Sequence, residues 1–295
     1  MIAALVAGFL VGAPSAVEVR FVPEEPSIGD PLIVFLRGAN APESRVEVFG
    51  MSAPLLAASD GWVRAFVAVP LDVEPRVWPV RVVSGRDGLM TTLIVRPRAF
   101  RTSSLKVSER FTAEKRSKAL EQRLAIEQAA WDAVFAPAPG PLRFDGSFVR
   151  PVRGSTTSEF GVKRTYNGRL ESQHYGLDLD GRAGEPVAAL QGGIVVMSAM
   201  RFNTGGTVVI DHGNGLFTAY FHLSRRLVRE GAPIAAGAVL GKVGATGRVT
   251  GPHLHLAAIV RMEQDGAPRA MYVDPERLME LDSAAPGAFV KRASQ

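Results

Sequence analysis

The sequence predicts a mainly β protein with an N-terminal immunoglobulin-like β-sandwich, a helical linker and a C-terminal β-rich domain. Three observations carry that reading. Residues 17–97 alternate in short apolar and polar runs broken by turn residues, residues 112–135 lack proline and glycine, and from Leu142 onward glycines and strand patterns return. At 295 residues the chain has room for two domains, each with its own core.

In order, the first sixteen residues are apolar but too short and too rich in Ala and Gly for a membrane span. They resemble the apolar region of a secretory signal, with cleavage near Ser15 or Ala16, although no basic residue precedes Arg20. The expectation is a signal peptide over 1–16 and an exported chain, periplasmic, in the envelope or extracellular, without stable membrane insertion. Strands are expected at 17–22, 32–37, 45–49, 62–69, 78–83 and 89–95, separated by turns such as Gly29-Asp30-Pro31 and Asp60-Gly61. Regular short strands of this kind define a sandwich over 17–98. It holds no histidine, and Trp62 and Trp78 read as core anchors.

The linker, 99–141, carries a helix expected from Thr112, as N-cap, to Phe135. Leu120, Leu124, Trp131 and Val134 fall on one face of it, an apolar stripe that must pack on something. Ala136-Pro-Ala-Pro-Gly-Pro141 stops it. The second domain, 142–282, is expected to hold strands at 186–190, 194–199, 207–211, 216–222, 239–243 and 254–260. Asp211-His-Gly-Asn-Gly215 is a turn between two of them. A poorly ordered tail, 283–295, ends the chain.

Composition excludes several chemistries. Without cysteine there is no disulfide, thiolate metal site or cysteine nucleophile. The net charge of +5 is spread evenly and forms no basic stripe, and aromatics are few, so no nucleic-acid surface is expected. No feature sets an oligomeric state.

All five histidines lie in the second domain: His174, His212, His222, His253 and His255. In His253-Leu-His255 an extended backbone turns both imidazoles to one face. His174 and Asp178 stand four apart, a spacing that returns to the same face. In Phe217-Thr-Ala-Tyr-Phe-His222, alternation puts Thr218, Tyr220 and His222 on one face and Phe217, Ala219 and Phe221 on the other. A catalytic zinc takes three protein ligands and keeps one position open. His174, Asp178 and one member of the His253/His255 pair meet that requirement, and the remaining two histidines are free to orient water and move protons. There is no HExxH motif. His212, in a Gly/Asn turn, reads as exposed or turn-stabilising.

The motifs Ser158-Glu-Phe-Gly161, His174-Tyr-Gly-Leu-Asp178, Pro186-Val-Ala-Ala, Tyr220-Phe-His-Leu-Ser224, Gly244-Ala-Thr-Gly247 and Gly251-Pro-His-Leu-His255 resemble, in this order, the lysostaphin-type zinc metallopeptidases. The resemblance covers roughly residues 142–280. It implies a β-rich domain with a groove across an antiparallel sheet, one Zn2+ per chain, and hydrolysis of peptide cross-links of bacterial peptidoglycan. By that resemblance His174, Asp178 and His255 are the metal ligands, and His222 and His253 the catalytic pair. The regions upstream are similar to accessory regions of some members. The chain departs from the family in carrying Leu256 and Ala257 where members often have an aromatic residue and then a glutamate.

Two other functions compete. One is a non-hydrolytic wall-binding activator of another hydrolase, which has no need of all five site residues. The other is a carrier-like module, prompted by Glu230-Gly-Ala-Pro-Ile-Ala-Ala-Gly237 and Lys242, which has no use for converging histidines.

Overall fold

Strand Pro31–Arg37 is buried at every residue except Arg37, a run too apolar for a strand with one wet face. In this computed structural model, which describes residues 18–37, 44–57, 61–84, 87–112, 117–144, 146–168 and 170–281, it sits inside a four-stranded antiparallel sheet. Its neighbours are Glu18–Val22 and Val63–Ala68, and Leu56–Ala57 lies beyond. A second antiparallel run is formed by Met51–Pro54, Ser44–Val48, Val77–Ser84 and Asp87–Ile94. Leu32, Phe35, Val46, Phe66, Val80 and Leu93 share one core. Trp62 is part of that core, edge-on to Phe35 at 6.2 Å. Trp78 packs against it only from the rim, edge-on to Phe49 with Arg76 over its other side. The expected signal segment and tail lie outside the described residues.

The second sheet does not stop at the sandwich. Strand His253–Gln264 runs for twelve residues, and near its end Glu263 pairs with Ser52. The sheet therefore continues through Leu216–Leu223, Gly205–Asp211, Gly193–Arg201 and Pro233–Ile234. On its other edge, His253–Gln264 pairs first with Leu177–Asp180 and then with Ala267–Val273. One apolar core runs from Leu32 and Phe66 to Leu179, Tyr220 and Leu256. Arg98 also ties the two regions together, donating to Asp274 Oδ2 at 2.6 Å and reaching Asp30 Oδ1 at 3.4 Å. Asp274 in turn caps the short helix Pro275–Glu280, its carboxylate accepting from the Glu276 N–H.

The linker helix, α1, spans Lys118–Phe135. The expected N-cap, Thr112, instead ends a single 3-10 turn, Glu109–Phe111. Ser117 caps α1, its Oγ accepting from the Leu120 N–H at 3.2 Å, because a hydroxyl beside the first free amides of the helix satisfies a donor that Thr112 is too far away to reach. Of the apolar stripe, the C-terminal half packs on the central sheet. Trp131 and Phe135, with Val134 beside them, cover Met197, Val209, Phe217, Ala219, Phe221 and Ile259. The sheet thus has two dry faces, one on the main core and one under α1.

Several strands have no sequence signature: Thr156–Ser158, Lys163–Tyr166, Leu170–Gln173, Leu177–Asp180 and Ala267–Val273. Most are short and polar, and Lys163–Tyr166 forms a small sheet with Leu170–Gln173 and Thr102–Leu105 that walls one side of the groove.

Candidate metal centre

Register places the site. In the antiparallel pair of Leu177–Asp180 with His253–Gln264, Asp178 lies opposite His255 and Asp180 opposite His253. Opposed residues project to the same face, so the Asp178 carboxylate meets both imidazoles. Asp178 Oδ1 is 2.8 Å from His255 Nδ1 and 3.6 Å from His253 Nε2. His174 arrives from the turn before Leu177. Its Nε2 lies 2.9 Å from Asp178 Oδ1 and 3.0 Å from His255 Nδ1.

That turn works only with glycine at 176. A Cβ there would stand 2.4 Å from His255 Nε2 and 2.6 Å from the Leu256 carbonyl oxygen. The bare backbone lets the 174–177 turn lie directly on the His255 ring.

His222 reaches the groove by a different device. Strict alternation would send it to the Tyr220 face, into the main core, and the structure corrects that expectation. Between the pairs Gly206↔Leu223 and Val208↔Tyr220, two residues of one strand oppose one of the other, a β-bulge. His222 takes up the extra residue with φ of +62°. Its amide donates to the Thr204 carbonyl at 2.9 Å. The bulge brings its ring to 5.0 Å from that of His253 and 5.9 Å from that of His255. Phe217, Ala219 and Phe221 keep the face expected of them, under α1.

Main-chain carbonyls set the tautomers. His174 Nδ1 donates to Glu159 O at 2.7 Å, His222 Nδ1 to Thr246 O at 2.8 Å, and His253 Nδ1 to Gly251 O at 2.9 Å. A carbonyl can only accept, so each Nδ1 holds a proton and each neutral ring presents an Nε2 lone pair. Burial, then the neighbouring imidazoles of His255 and His253, push His222 down to about 3. Burial likewise lowers His255 to about 4, against the opposing effect of Asp178. Burial alone would raise the Asp178 carboxyl, but the His174 and His255 imidazoles packed against it outweigh burial and hold the group well below the usual carboxylate range.

Arg164 is the site residue that sequence reasoning missed. Its Nη2 donates to Asp178 Oδ2 and to Ser158 Oγ, both at 2.6 Å, and the Arg164 and Asp178 side chains are each only 10% exposed. One carboxylate oxygen is thus held by arginine while the other faces the histidines. Its only signal was a position in a polar stretch of no periodicity, three residues after Gly161.

His212 stands apart from this cluster and is fully buried, not exposed. Its Nδ1 donates to Gly192 O at 2.7 Å, and its Nε2 lies 2.7 Å from Thr218 Oγ1, itself 3.1 Å from Tyr220 Oη. It stabilises the turn from inside the core.

The donors around Asp178 fit a metal ion. His174, Asp178 and His255 form a cluster of potential ligands. The proton on His174 Nδ1 leaves its Nε2 lone pair facing a carboxylate oxygen at 2.9 Å, an arrangement that a shared cation stabilises. Two imidazoles and one carboxylate are a donor set suited to zinc. The groove around them encloses about 590 Å3 and is lined by Ser158, Tyr175, Tyr272, His222, Arg248 and Trp131 among others.

Fold and site define a β-sheet groove protein with a histidine–carboxylate cluster able to hold a metal ion. A profile of peptidase family M23 matches residues 172–268, so this stretch carries an M23 domain. The Vibrio cholerae peptidoglycan DD-endopeptidase ShyA is 47% identical over 88 residues, 30% of this chain and 20% of that protein. Vibrio cholerae peptidoglycan DD-endopeptidase ShyC is 35% identical over 141 residues, 47% of this chain and 32% of that protein. The chain thus spans a third or less of these relatives. A crystal structure from Pseudomonas aeruginosa assigned to peptidase M23 superposes with a TM-score of 0.62 at 27% identity, over 86% of this chain and 95% of that one.

Proposed function

We propose that the protein is a zinc-dependent endopeptidase that hydrolyses peptide cross-links of bacterial peptidoglycan. The observation that carries this is the convergence of His174, Asp178 and His255 with two further imidazoles, His222 and His253, aimed into the same groove. The relatives named as DD-endopeptidases support D,D-linked peptides as substrate. The reading takes residues 142–282 as the catalytic unit, 17–98 as an accessory sandwich and 99–141 as linker. It places the work in the envelope, after export. Among the described residues no helix is long and apolar enough to cross a membrane.

His174, Asp178 and His255 would hold the metal. When bound, zinc lowers the pKa of a coordinated water toward about 7 and polarises a carbonyl. The protein's own groups do the remaining work. His222 and His253, each with Nδ1–H locked on a main-chain carbonyl, turn Nε2 toward the scissile bond. His222, its Nδ1–H held by the Thr246 carbonyl, accepts a proton from the attacking water at Nε2. The pair then delivers a proton to the leaving amine. Tyr175 and Tyr272, with ring centroids 5.0 Å apart and tilted against each other, line the groove beside the site and offer apolar rings to the peptide.

Defined cross-linked muropeptides digested with a mass readout test this reading. The zinc-loaded protein is expected to release new amino termini. His174→Ala should lose zinc and activity together, whereas His222→Ala should keep zinc and lose about two to four orders of magnitude in rate. Stoichiometric zinc without turnover on any peptidoglycan type would favour the wall-binding activator.

A further inference from the structure

Arg201 closes the strand Gly193–Arg201 and lines the groove at the end formed by α1. Its guanidinium lies 4.8 Å over the Trp131 ring, and one Nη donates to the Glu127 carbonyl of α1 at 3.0 Å. Its Nε is buried and has no hydrogen-bond partner. No carboxylate among the described residues forms an ion pair with it. The Glu127 carboxylate nearby is committed elsewhere, accepting from the Phe202 N–H at 2.9 Å and from Arg123 at 2.8 Å. Burial lowers the Arg201 pKa, and the charges of Glu127, Tyr272 and Asp132 offset this only in part, the mark of a cation partly stripped of water.

A desolvated guanidinium with unused donors on the wall of a binding groove is matched by one kind of ligand group, a planar carboxylate that takes two parallel N–H bonds. The Trp131 face behind it holds the fork in one orientation. The histidine–carboxylate cluster is linked to it through a run of tilted ring contacts: His255 lies 5.3 Å from Phe221, Phe221 6.0 Å from Trp131, and Trp131 under Arg201. The two features thus belong to one groove, within reach of a few extended peptide residues.

We propose that Arg201 is a specificity-determining residue that binds a free carboxylate of the peptide substrate, on the α1 side of the metal centre. This rests on the reading of the groove as a peptidase site. The Arg201–Trp131 pair makes α1 part of the substrate site as well as a cover for the sheet.

The test uses the full zinc-loaded chain and two synthetic D,D-linked peptides, identical except that one bears a free side-chain carboxylate beside the scissile bond and the other its carboxamide. The wild type is expected to favour the carboxylate by about tenfold to a hundredfold in kcat/KM, the scale of a hydrogen bond to a charged group. The difference should lie mainly in KM. In Arg201→Met the ratio should fall to near one, and Arg201→Lys should retain part of it. A purely structural role at α1 would change both peptides together and leave the ratio intact, which would overturn the assignment. Equal cleavage of both peptides by the wild type would overturn Arg201 alone. Cleavage of neither would overturn the proposed function and the substrate assignment with it.

Discussion

Gly176→Ala isolates the contact on which the metal centre is built. The added Cβ would meet His255 Nε2 at 2.4 Å, His255 Cε1 at 2.7 Å and the Leu256 oxygen at 2.6 Å. Ordinary contact begins near 3.4 Å, so the ring must retreat by about 1 Å. The Leu256 carbonyl cannot yield, because it belongs to a strand paired on both edges, with Leu177 and with Tyr220. The strain therefore falls on the His255 ring and on the 174–177 turn, both of which carry proposed ligand atoms. Catalytic groups tolerate displacements of about 0.5 Å, and a misplacement of about 1 Å costs about a hundredfold in rate. Overpacking adds a stability loss of about 1–3 kcal/mol. The assay is kcat/KM on a defined muropeptide, with zinc affinity by chelator competition and denaturant unfolding alongside. Gly192→Ala serves as control, since its Cβ would meet nothing nearer than 3.5 Å. Wild-type activity and zinc affinity in Gly176→Ala would refute the reasoning, because no close approach to His255 would then exist.

Two further outcomes follow from the core. His212, lowered to about 4 by complete burial, binds fewer protons folded than unfolded between about 4 and its ordinary 6.5. Stability therefore rises with pH across that window, and the His212 contribution of about 3 kcal/mol is lost as pH falls through it. Urea unfolding of the wild type and His212→Gln at pH 7 and pH 4 should show the gap between them shrinking by that amount; a constant gap would be inconsistent with a neutral buried ring. Trp131→Ala, which empties the packing between α1 and Phe221, should cost about 3–5 kcal/mol in denaturant unfolding. It should also expose α1 to limited proteolysis, and unaltered cleavage kinetics at α1 would show that the helix is held by other contacts.

The sequence alone determined the strand-rich class, the helical linker with its apolar stripe, and the histidine pair, because each is a local pattern: period two, period 3.6, and i to i+2 on one face. The motif order also named the metallopeptidase type before any coordinate. Tertiary structure decided what local periodicity cannot encode. Asp178 meets His255, 77 residues further along the chain, through the register of two strands, one of them too short to be seen in the sequence. Alternation sent His222 the wrong way, since a bulge is a property of two strands and not of one. Arg164 and Arg201 carry no motif and acquire meaning only from what surrounds them, a second carboxylate oxygen in one case and a buried Nε without a hydrogen-bond partner in the other. His253 and His255, two apart in sequence and alike in chemistry, are separated in the fold by distance: 3.6 Å from Asp178 for one, 2.8 Å for the other.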